Sequence, residues 1–293
     1  MNILSLSCKT VCMIALVMPS YFSKVLDAPM YHNSGKLQGW DDIFHEHKGT
    51  VEEITVGSSS KLKFTQTYDP EYYGRYHSEV ERYDAALLGE QGYYGFAFQL
   101  DPAWKTDRHM YTISQFISNF KDITCNGHHT RNWSPTTMTY IIGHELFTRV
   151  RFGDMCIGEQ IHEFKIGTVK PGAWHTVVLG VKWDNRKNGF FDAYFDGQIV
   201  VHQERISTTV LQADNRFFQF RVGLYASSWY LPSDLPGNAT YHPTPKLGSG
   251  DQQTKVVFHD QIAYAPTYEH ADPNQWFYYF PSDISDVSHG LNE

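Results

Sequence analysis

The chain has 293 residues, of which 41% are hydrophobic, with 22 glycines and 13 prolines, a composition typical of a turn-rich globular protein that excludes extensive disorder. Its formal net charge of -8, from 24 Lys and Arg against 32 Asp and Glu, favours neither nucleic acid nor an acidic membrane as a partner. An anionic ligand would therefore need a locally basic cleft.

The N-terminus has the features of a secretory signal. Lys9 precedes the apolar run VCMIALVM at 11–18, which is too short to span a bilayer. We expect residues 1–24 to be a signal peptide, the mature protein to be secreted, and residues 25–293 to form one folded domain. Patterns for N-glycosylation at Asn132 and Asn238 agree with export.

Cysteine usage also agrees with export. Cys8 and Cys12 fall within the predicted signal, which leaves Cys125 and Cys156 in the mature chain. These two residues could form one disulfide, or they could remain buried free thiols, and the sequence alone leaves both alternatives open.

Beyond the signal, apolar and polar residues alternate with period two, and no long amphipathic helix is found. Turn sequences such as DNRKNG, KPGAW and FDG separate these runs. The pattern predicts an all-β fold, a sandwich of two antiparallel sheets or a jelly roll. The predicted strands are SKLKFTQTY (60–68), GYYGFAFQL (92–100), MYTISQFISNF (110–120), LFTRVRF (146–152), WHTVVLGVKW (174–183), FFDAYFDGQIVV (190–201), RFFQFRVGLYAS (216–227) and KVVFHDQIAYA (255–265).

The segment GRYHSEV at 74–80 places Arg75, His77 and Glu79 at alternate positions, and therefore on one face of a predicted strand. In the strand at 216–227, Gln219, Arg221, Gly223 and Tyr225 share the face opposite the core. If the strands lie side by side, one concave face collects cations, amides and aromatic rings. The members of this predicted trough are Arg75, His77, Gln115, Arg149, Arg151, Gln219, Arg221 and Tyr225.

Each of these residues also has an ordinary structural explanation. Arg75 and Glu79 could pair on a solvated strand, and a single histidine or tyrosine is most often a surface or packing residue. Glu79 and Glu81 lie about 7 Å apart by strand geometry, which is compatible with a glycoside hydrolase. Sequence motifs of serine hydrolases, zinc proteases and nucleotide enzymes are absent.

Six segments in order, GRYHSEV, GYYGFAFQL, ISQF, WHTVVLGVKW, YFDG and VGLYAS, resemble the polysaccharide lyases of family 20, the glucuronan lyases, and more loosely the heparin lyase I-like jelly rolls. The similarity runs from about residue 38 to 280. It implies a concanavalin-like β-jelly roll that cleaves β-1,4-linked polyglucuronate by β-elimination. It also implies His77, Gln115 and Tyr225 as catalytic residues, together with a calcium ion that supports the fold.

The residue types suit this chemistry. His77 would remove the C5 proton of the uronate as a neutral base, and Tyr225 would protonate the leaving oxygen. Gln115 and an arginine, Arg75, Arg149 or Arg221, would stabilise the developing enolate. Because the C5 hydrogen and the C4 oxygen lie on the same side of a glucuronate ring, Tyr225 alone is an alternative for both proton transfers.

For the calcium ion, oxygen ligands from the N-terminal segment and the last strand are expected, with Asp260 as a candidate. The predicted partner is an anionic polysaccharide, without nucleic acid or membrane, and the protein is expected to be a monomer. Three alternatives stay open at this point: a lyase that acts on another polyuronate such as alginate, a non-catalytic carbohydrate-binding jelly roll, and a hydrolase that uses Glu79 and Glu81.

Overall fold

The computed structural model describes residues 30–129, 133–229, 247–248 and 250–277, which form two large antiparallel sheets and one short hairpin. The strands in chain order are β1 (Tyr31–Asn33), β2 (Asp42–His45), β3 (Thr50–Val56), β4 (Ser59–Thr67), β5 (His77–Leu87), β6 (Gln91–Leu100), β7 (Met110–Asn119), β8 (Thr124–Cys125), β9 (His128–His129), β10 (Trp133–Ile142), β11 (Glu145–Asp154), β12 (Gly158–Thr168), β13 (Trp174–Lys182), β14 (Gly189–Phe195), β15 (Gln198–Ile206), β16 (Phe217–Tyr225) and β17 (Thr254–Ala265). Short helical turns occupy Leu211–Ala213, Ser227–Trp229, Tyr268–Ala271 and Pro273–Phe277.

The order of strands in each sheet differs from their order in the chain. One sheet runs β15-β14-β13-β6-β17-β4-β3, with β1 paired to β17, and the other runs β12-β11-β10-β7-β16-β5-β2. The predicted all-β sandwich of two antiparallel sheets is confirmed. We call the second of these the seven-stranded sheet.

The alternating pattern explains how the two sheets share one core. In β4, Leu62 and Phe64 are fully buried, and Lys63 between them is only half-buried. Phe116 and Phe220 pair in register on the neighbouring strands β7 and β16 and stack with their ring centroids 5.0 Å apart. Because side chains alternate across a strand, Gln115 and Arg221, which are also paired in register, lie on the face turned away from this core.

Three strands of the seven-stranded sheet, β2, β10 and β12, were not predicted, and β2 is only four residues long and mostly exposed. β10 contains Pro135, which is unusual in an internal strand, but the register shifts between Pro135 and Thr137, and such an irregularity accommodates the missing N–H group. β12 is an edge strand with mostly exposed side chains, so its sequence carries little apolar alternation.

Cys125 and Cys156 form a disulfide that joins the β8-β9 hairpin to the turn between β11 and β12. Of the two alternatives open on the sequence, the structure therefore has the disulfide. The predicted signal peptide, Asn132 and Asn238 lie outside the described residues. Within the described ranges, no helix has the length and apolar character that crossing a membrane would need.

Candidate active site

Most of the predicted trough residues meet on the outer face of the seven-stranded sheet. The pairing of β16 with β5 places Tyr225 opposite His77 and Arg221 opposite Glu81. Pairing of β7 with β16 then places Gln115 beside Arg221. Residues from segments far apart in the chain thus become neighbours because their strands are adjacent in the sheet.

Glu79 lies at the centre of this group. Its Oε2 is 2.7 Å from His77 Nδ1, and its Oε1 accepts a hydrogen bond from Gln115 Nε2 at 2.7 Å. The side chain is 1% exposed. Burial by itself raises the pKa of Glu79, but the charges of His77 and Arg221 and the two hydrogen bonds outweigh burial, so that the pKa is lowered. Glu79 is therefore a fixed carboxylate.

Arg221 joins Glu79 to a second acid. Its Nη1 lies 3.0 Å from Glu81 Oε1 and 3.6 Å from Glu79 Oε2. Burial raises the pKa of Glu81 to about 7; Arg221 opposes this shift, and the charge of Glu79 adds to it. The site thus holds one ionised carboxylate and one that titrates near neutral pH.

Tyr225 covers the imidazole of His77. The two rings stack with their centroids 3.7 Å apart and 14° between their planes, as expected of a cross-strand pair. Gly223, two residues before Tyr225, pairs with Glu79 and has a φ of 152°. A Cβ there would lie 2.2 Å from the carbonyl oxygen of Ser78, so the close approach of β16 and β5 requires glycine.

The predicted place of Arg75 is wrong, because β5 begins at His77 and Arg75 lies just before the strand, exposed to solvent. Its charge acts on Glu46, whose backbone N–H donates to the carbonyl oxygen of His77 at 2.9 Å. Burial raises the pKa of Glu46, and the charges of His77 and Arg75 oppose that shift. Arg75 is thus at the rim of the cluster.

The remaining arginines lie further across the sheet. Arg149 pairs in register with Met138, which in turn pairs with Gln115. The guanidinium of Arg149 contacts the Met138 sulfur at 2.7 Å. Arg151 is buried and donates to Ser134 and Glu159, so the protein already holds its guanidinium.

Gln219 lies on β16 beside the central group. Its Oε1 accepts two hydrogen bonds from Arg221, from Nη2 at 2.6 Å and from Nε at 3.2 Å. This contact fixes the plane of the guanidinium that also pairs with Glu79 and Glu81. The predicted substrate contact of Gln219 stays a prediction.

Asp260, the predicted calcium ligand, lies on β17 in the other sheet. Strand β1 runs alongside, with Asn33 in register with Ile262, so the N-terminal segment and the last strand do meet here. Asp260 Oδ1 accepts two hydrogen bonds from Gln261, and burial raises the pKa of Asp260 to about 6, against the effect of those bonds and of the Lys61 charge.

Calcium takes six to eight oxygen ligands, most of them carboxylate or carbonyl groups. Among the residues that the structure describes, no three His, Cys, Asp or Glu side chains cluster as a metal site would require. The Asp260 carboxylate, with the Lys61 charge nearby, is not sufficient to bind calcium by itself. Amide, carbonyl and water oxygens would have to supply the other ligands. Asp260 as a calcium ligand stays a prediction.

Comparison with known proteins identifies the family. Residues 32–263 match the sequence profile described as polysaccharide lyase. The chain belongs to the polysaccharide lyase family. This lyase also resembles the solved endo-β-1,4-glucuronan lyase from the fungus Trichoderma reesei, with 37% sequence identity and a TM-score of 0.73. The match covers 85% of this chain and 100% of that one.

A second solved structure, the alginate lyase vAL-1 from Chlorella virus, matches the lyase with 9% identity and a TM-score of 0.49, over 75% of this chain and 90% of that one. That likeness is too weak to carry an argument. Among curated proteins, none matches the chain.

The family confirms the predicted enzyme class and sets aside the non-catalytic and hydrolase alternatives. In the structure Glu79 and Glu81 both lie within 4 Å of the Arg221 guanidinium, and Glu79 is in addition engaged by His77 and Gln115. Sequence reasoning missed the role of Glu79 as the acceptor shared by His77 and Gln115. Its alternate spacing with His77 was the available signal, but the contact with Gln115 depends on strand pairing.

Proposed function

We propose that this lyase is secreted and cleaves β-1,4-linked polyglucuronate in the interior of the chain by β-elimination. The observation that carries the proposal is the match to a solved glucuronan lyase over 85% of this chain. It is supported by the cluster in which Glu79 contacts His77 and Gln115, and the half-buried Tyr225 stacks on His77. The product is a chain with an unsaturated uronate at its new end.

The reaction breaks two bonds and forms one double bond. A base takes the C5 proton, the electron pair of that C–H bond becomes the C4–C5 double bond, and the C4–O bond breaks. The departing oxygen accepts a proton and becomes the hydroxyl group of the released chain. The difficult step is the first, because negative charge develops next to a carboxylate that is already ionised.

His77 suits the base. Its Nδ1 faces the Glu79 carboxylate at 2.7 Å, and a carboxylate accepts hydrogen bonds only, so Nδ1 carries the proton. The lone pair of a neutral imidazole then lies on Nε2. Glu79 also stabilises the imidazolium that forms when Nε2 takes the C5 proton.

Tyr225 suits the role of acid, because its ring lies against His77 and a phenol hydroxyl has a proton to donate. The two proton-transfer groups are therefore side by side on adjacent strands. Since the C5 hydrogen and the C4 oxygen of glucuronate lie on the same side of the ring, one small region has to serve both. The stacked pair meets this requirement, and Tyr225 acting alone remains the alternative.

Gln115 and Arg221 suit the stabilisation of charge. Gln115 donates one amide N–H to Glu79, and its second N–H can donate to the substrate carboxylate. Arg221 is a buried cation, 8% exposed. A guanidinium and an amide in a site of low solvent content stabilise an enolate-like carboxylate more strongly than they would in water. Arg75 and Arg149, at the rim, would attract further carboxylates of the polymer.

Export, calcium and oligomeric state belong to the same proposal. A disulfide between Cys125 and Cys156 supports an oxidising location, as is typical of secreted proteins. We propose that the lyase acts outside the cell as a monomeric glycoprotein, and that a calcium ion near Asp260 supports the fold.

The test is ultraviolet absorbance from unsaturated uronate ends after incubation of the purified protein with glucuronan, alginate and heparin. Absorbance that rises with glucuronan alone supports both the elimination and the substrate. A rise with alginate or heparin instead keeps the elimination and overturns the substrate. No rise with any polyuronate, from folded protein supplied with calcium, overturns the proposal.

A further inference from the structure

A pocket of about 360 Å³ lies at one end of the same sheet face. Residues of β5, β7, β10 and β16 line it, so it is built on the strands that carry the catalytic cluster. Along β7 its member Asn119 is four residues beyond Gln115, or about 13 Å at a rise of about 3.3 Å per residue. The pocket is therefore close to the cluster but separate from it.

Exposed aromatic rings gather at this pocket. In the part of the chain that the structure describes, four Phe, Tyr or Trp side chains are more than a third exposed, and three of them, Tyr83 (39%), Trp133 (37%) and Phe217 (49%), line the pocket. Large aromatic rings are costly to leave in water, and an exposed apolar patch with a polar rim marks a ligand-binding groove. Asn119 and Asn215 supply part of the polar rim.

The pocket is directly linked to the catalytic cluster. The Arg221 guanidinium lies 5.6 Å from the centre of the Trp133 ring, and Gln219, which lines the pocket, accepts two hydrogen bonds from Arg221. Arg216, which lines the pocket, is held by Asp122 at 2.6 Å. A chain of side-chain contacts thus leads from Glu79 through Arg221 to Trp133.

We propose that this pocket is a distal substrate subsite, in which a uronosyl ring beyond the cleaved bond stacks on Trp133. This inference rests on the proposed function. A β-1,4-linked glucuronate ring carries its polar groups around the edge and C–H groups on both faces. Its face therefore matches an aromatic surface, and its hydroxyl groups match asparagine side chains at the rim.

The subsite gives affinity for long chains and takes no part in bond breaking. Trp133→Ala should raise KM for polymeric glucuronan about tenfold and leave kcat nearly unchanged, because it removes binding that is equal in the ground and transition states. Ile199→Ala, at an exposed position on β15 of the other sheet, is the matched control and should change neither parameter.

Binding without turnover gives a second measurement. Calorimetric titration of Tyr225→Phe with glucuronan oligosaccharides of increasing length should show affinity rising once the chain reaches the pocket. Adding Trp133→Ala should remove that rise and leave the affinity for the shortest oligosaccharides unchanged. Phe217→Ala tests the same pocket from β16 if Trp133→Ala does not fold, which thermal unfolding will establish.

The subsite proposal is overturned if Trp133→Ala and the unmodified protein have equal KM values for polymeric glucuronan. It is also overturned if the substitution lowers the affinity equally at every oligosaccharide length. If the unmodified protein does not turn over glucuronan, the proposed function fails, and the same variants are titrated with alginate and heparin oligosaccharides. A length-dependent loss there supports a uronate-binding pocket without the glucuronan substrate. No binding of any of these oligosaccharides overturns both.

Discussion

His77 Nδ1 lies 2.7 Å from Oε2 of Glu79, which is two residues further along β5. The other carboxylate oxygen of Glu79 accepts a hydrogen bond from Gln115. One buried acid therefore sets the orientation of both the proposed base and the proposed donor. Such a residue acts through its neighbours, so its removal should lower the rate by disturbing the groups it orients.

Glu79→Gln should lower kcat at least about 100-fold, the lower end of what a general base contributes. An amide has one acceptor oxygen for the two donors His77 and Gln115, and it has no charge to stabilise the imidazolium. Steady-state kinetics measure the rate, and thermal unfolding shows whether the variant folds. Glu53→Gln on β3 is the control and should keep the rate. A rate loss that only follows a loss of folded protein would make Glu79 merely structural.

The two assignments of the proton transfers predict different effects of substituting His77 and Tyr225 on kcat. With His77 as base and Tyr225 as acid, His77→Ala and Tyr225→Phe should each lower kcat by a factor of about 100 to 10,000. Unsaturated product formation measures this, with His202→Ala on β15 as a control histidine. If His77→Ala keeps most of the turnover while Tyr225→Phe abolishes it, Tyr225 performs both transfers.

Gly223→Ala should destabilise the fold by about 3 kcal/mol or more, because it adds strain at a positive φ and a clash with the Ser78 carbonyl. Gly57 has a φ of 60° and open space around it. Gly57→Ala therefore measures the cost of a positive φ without a clash, about 1 kcal/mol of stability. Urea unfolding measures both variants. Equal losses would mean that the strands can separate to accommodate the methyl group.

His259 should make the fold sensitive to acid. It is fully buried on β17, its Nε2 lies 3.2 Å from the Gly223 carbonyl oxygen, and burial lowers its pKa to about 3. Because the unfolded chain takes up this proton near pH 6.5 and the folded protein does not, stability is intact above that pH. It falls by about 2 kcal/mol between pH 6.5 and 5.

Urea unfolding at pH 7 and pH 5 measures this loss. His259→Phe lacks the titrating group, so its stability should fall less between the two pH values, whatever its stability at pH 7. The same pH-dependent loss in both proteins would show that other groups control the acid response.

Removal of calcium tests the metal prediction. If a calcium ion is held near Asp260, a chelator should lower Tm by several degrees, calcium should restore it, and Asp260→Asn should abolish that difference. Asp214→Asn, at an exposed acid elsewhere, serves as the control and should keep the calcium response. A Tm indifferent to chelator would remove calcium from the proposal.

Local sequence was sufficient for most of the strands. The runs that became β4, β6, β7, β11 and β13–β17 alternate clearly, because one side of each strand meets the core and the other meets solvent or the site. It failed at β10 and β12, where Pro135 in one strand and solvent exposure of both faces in the other weaken the alternation. It also missed β1, β2, β3, β8 and β9, which are short or largely exposed.

Alternation also determined which residues of β16 share the outer face, and the spacing of His77 and Glu79 already placed them together. Which strands lie next to each other was beyond local sequence, because β7, β16 and β5 are neighbours only after long loops have closed. Strand pairing therefore decided that Gln115 meets Glu79, that Arg221 bridges two carboxylates and that Tyr225 stacks on His77. The sequence by itself determined the residues and their faces, whereas the tertiary structure decided their contacts, since each contact joins strands that no short-range interaction brings together.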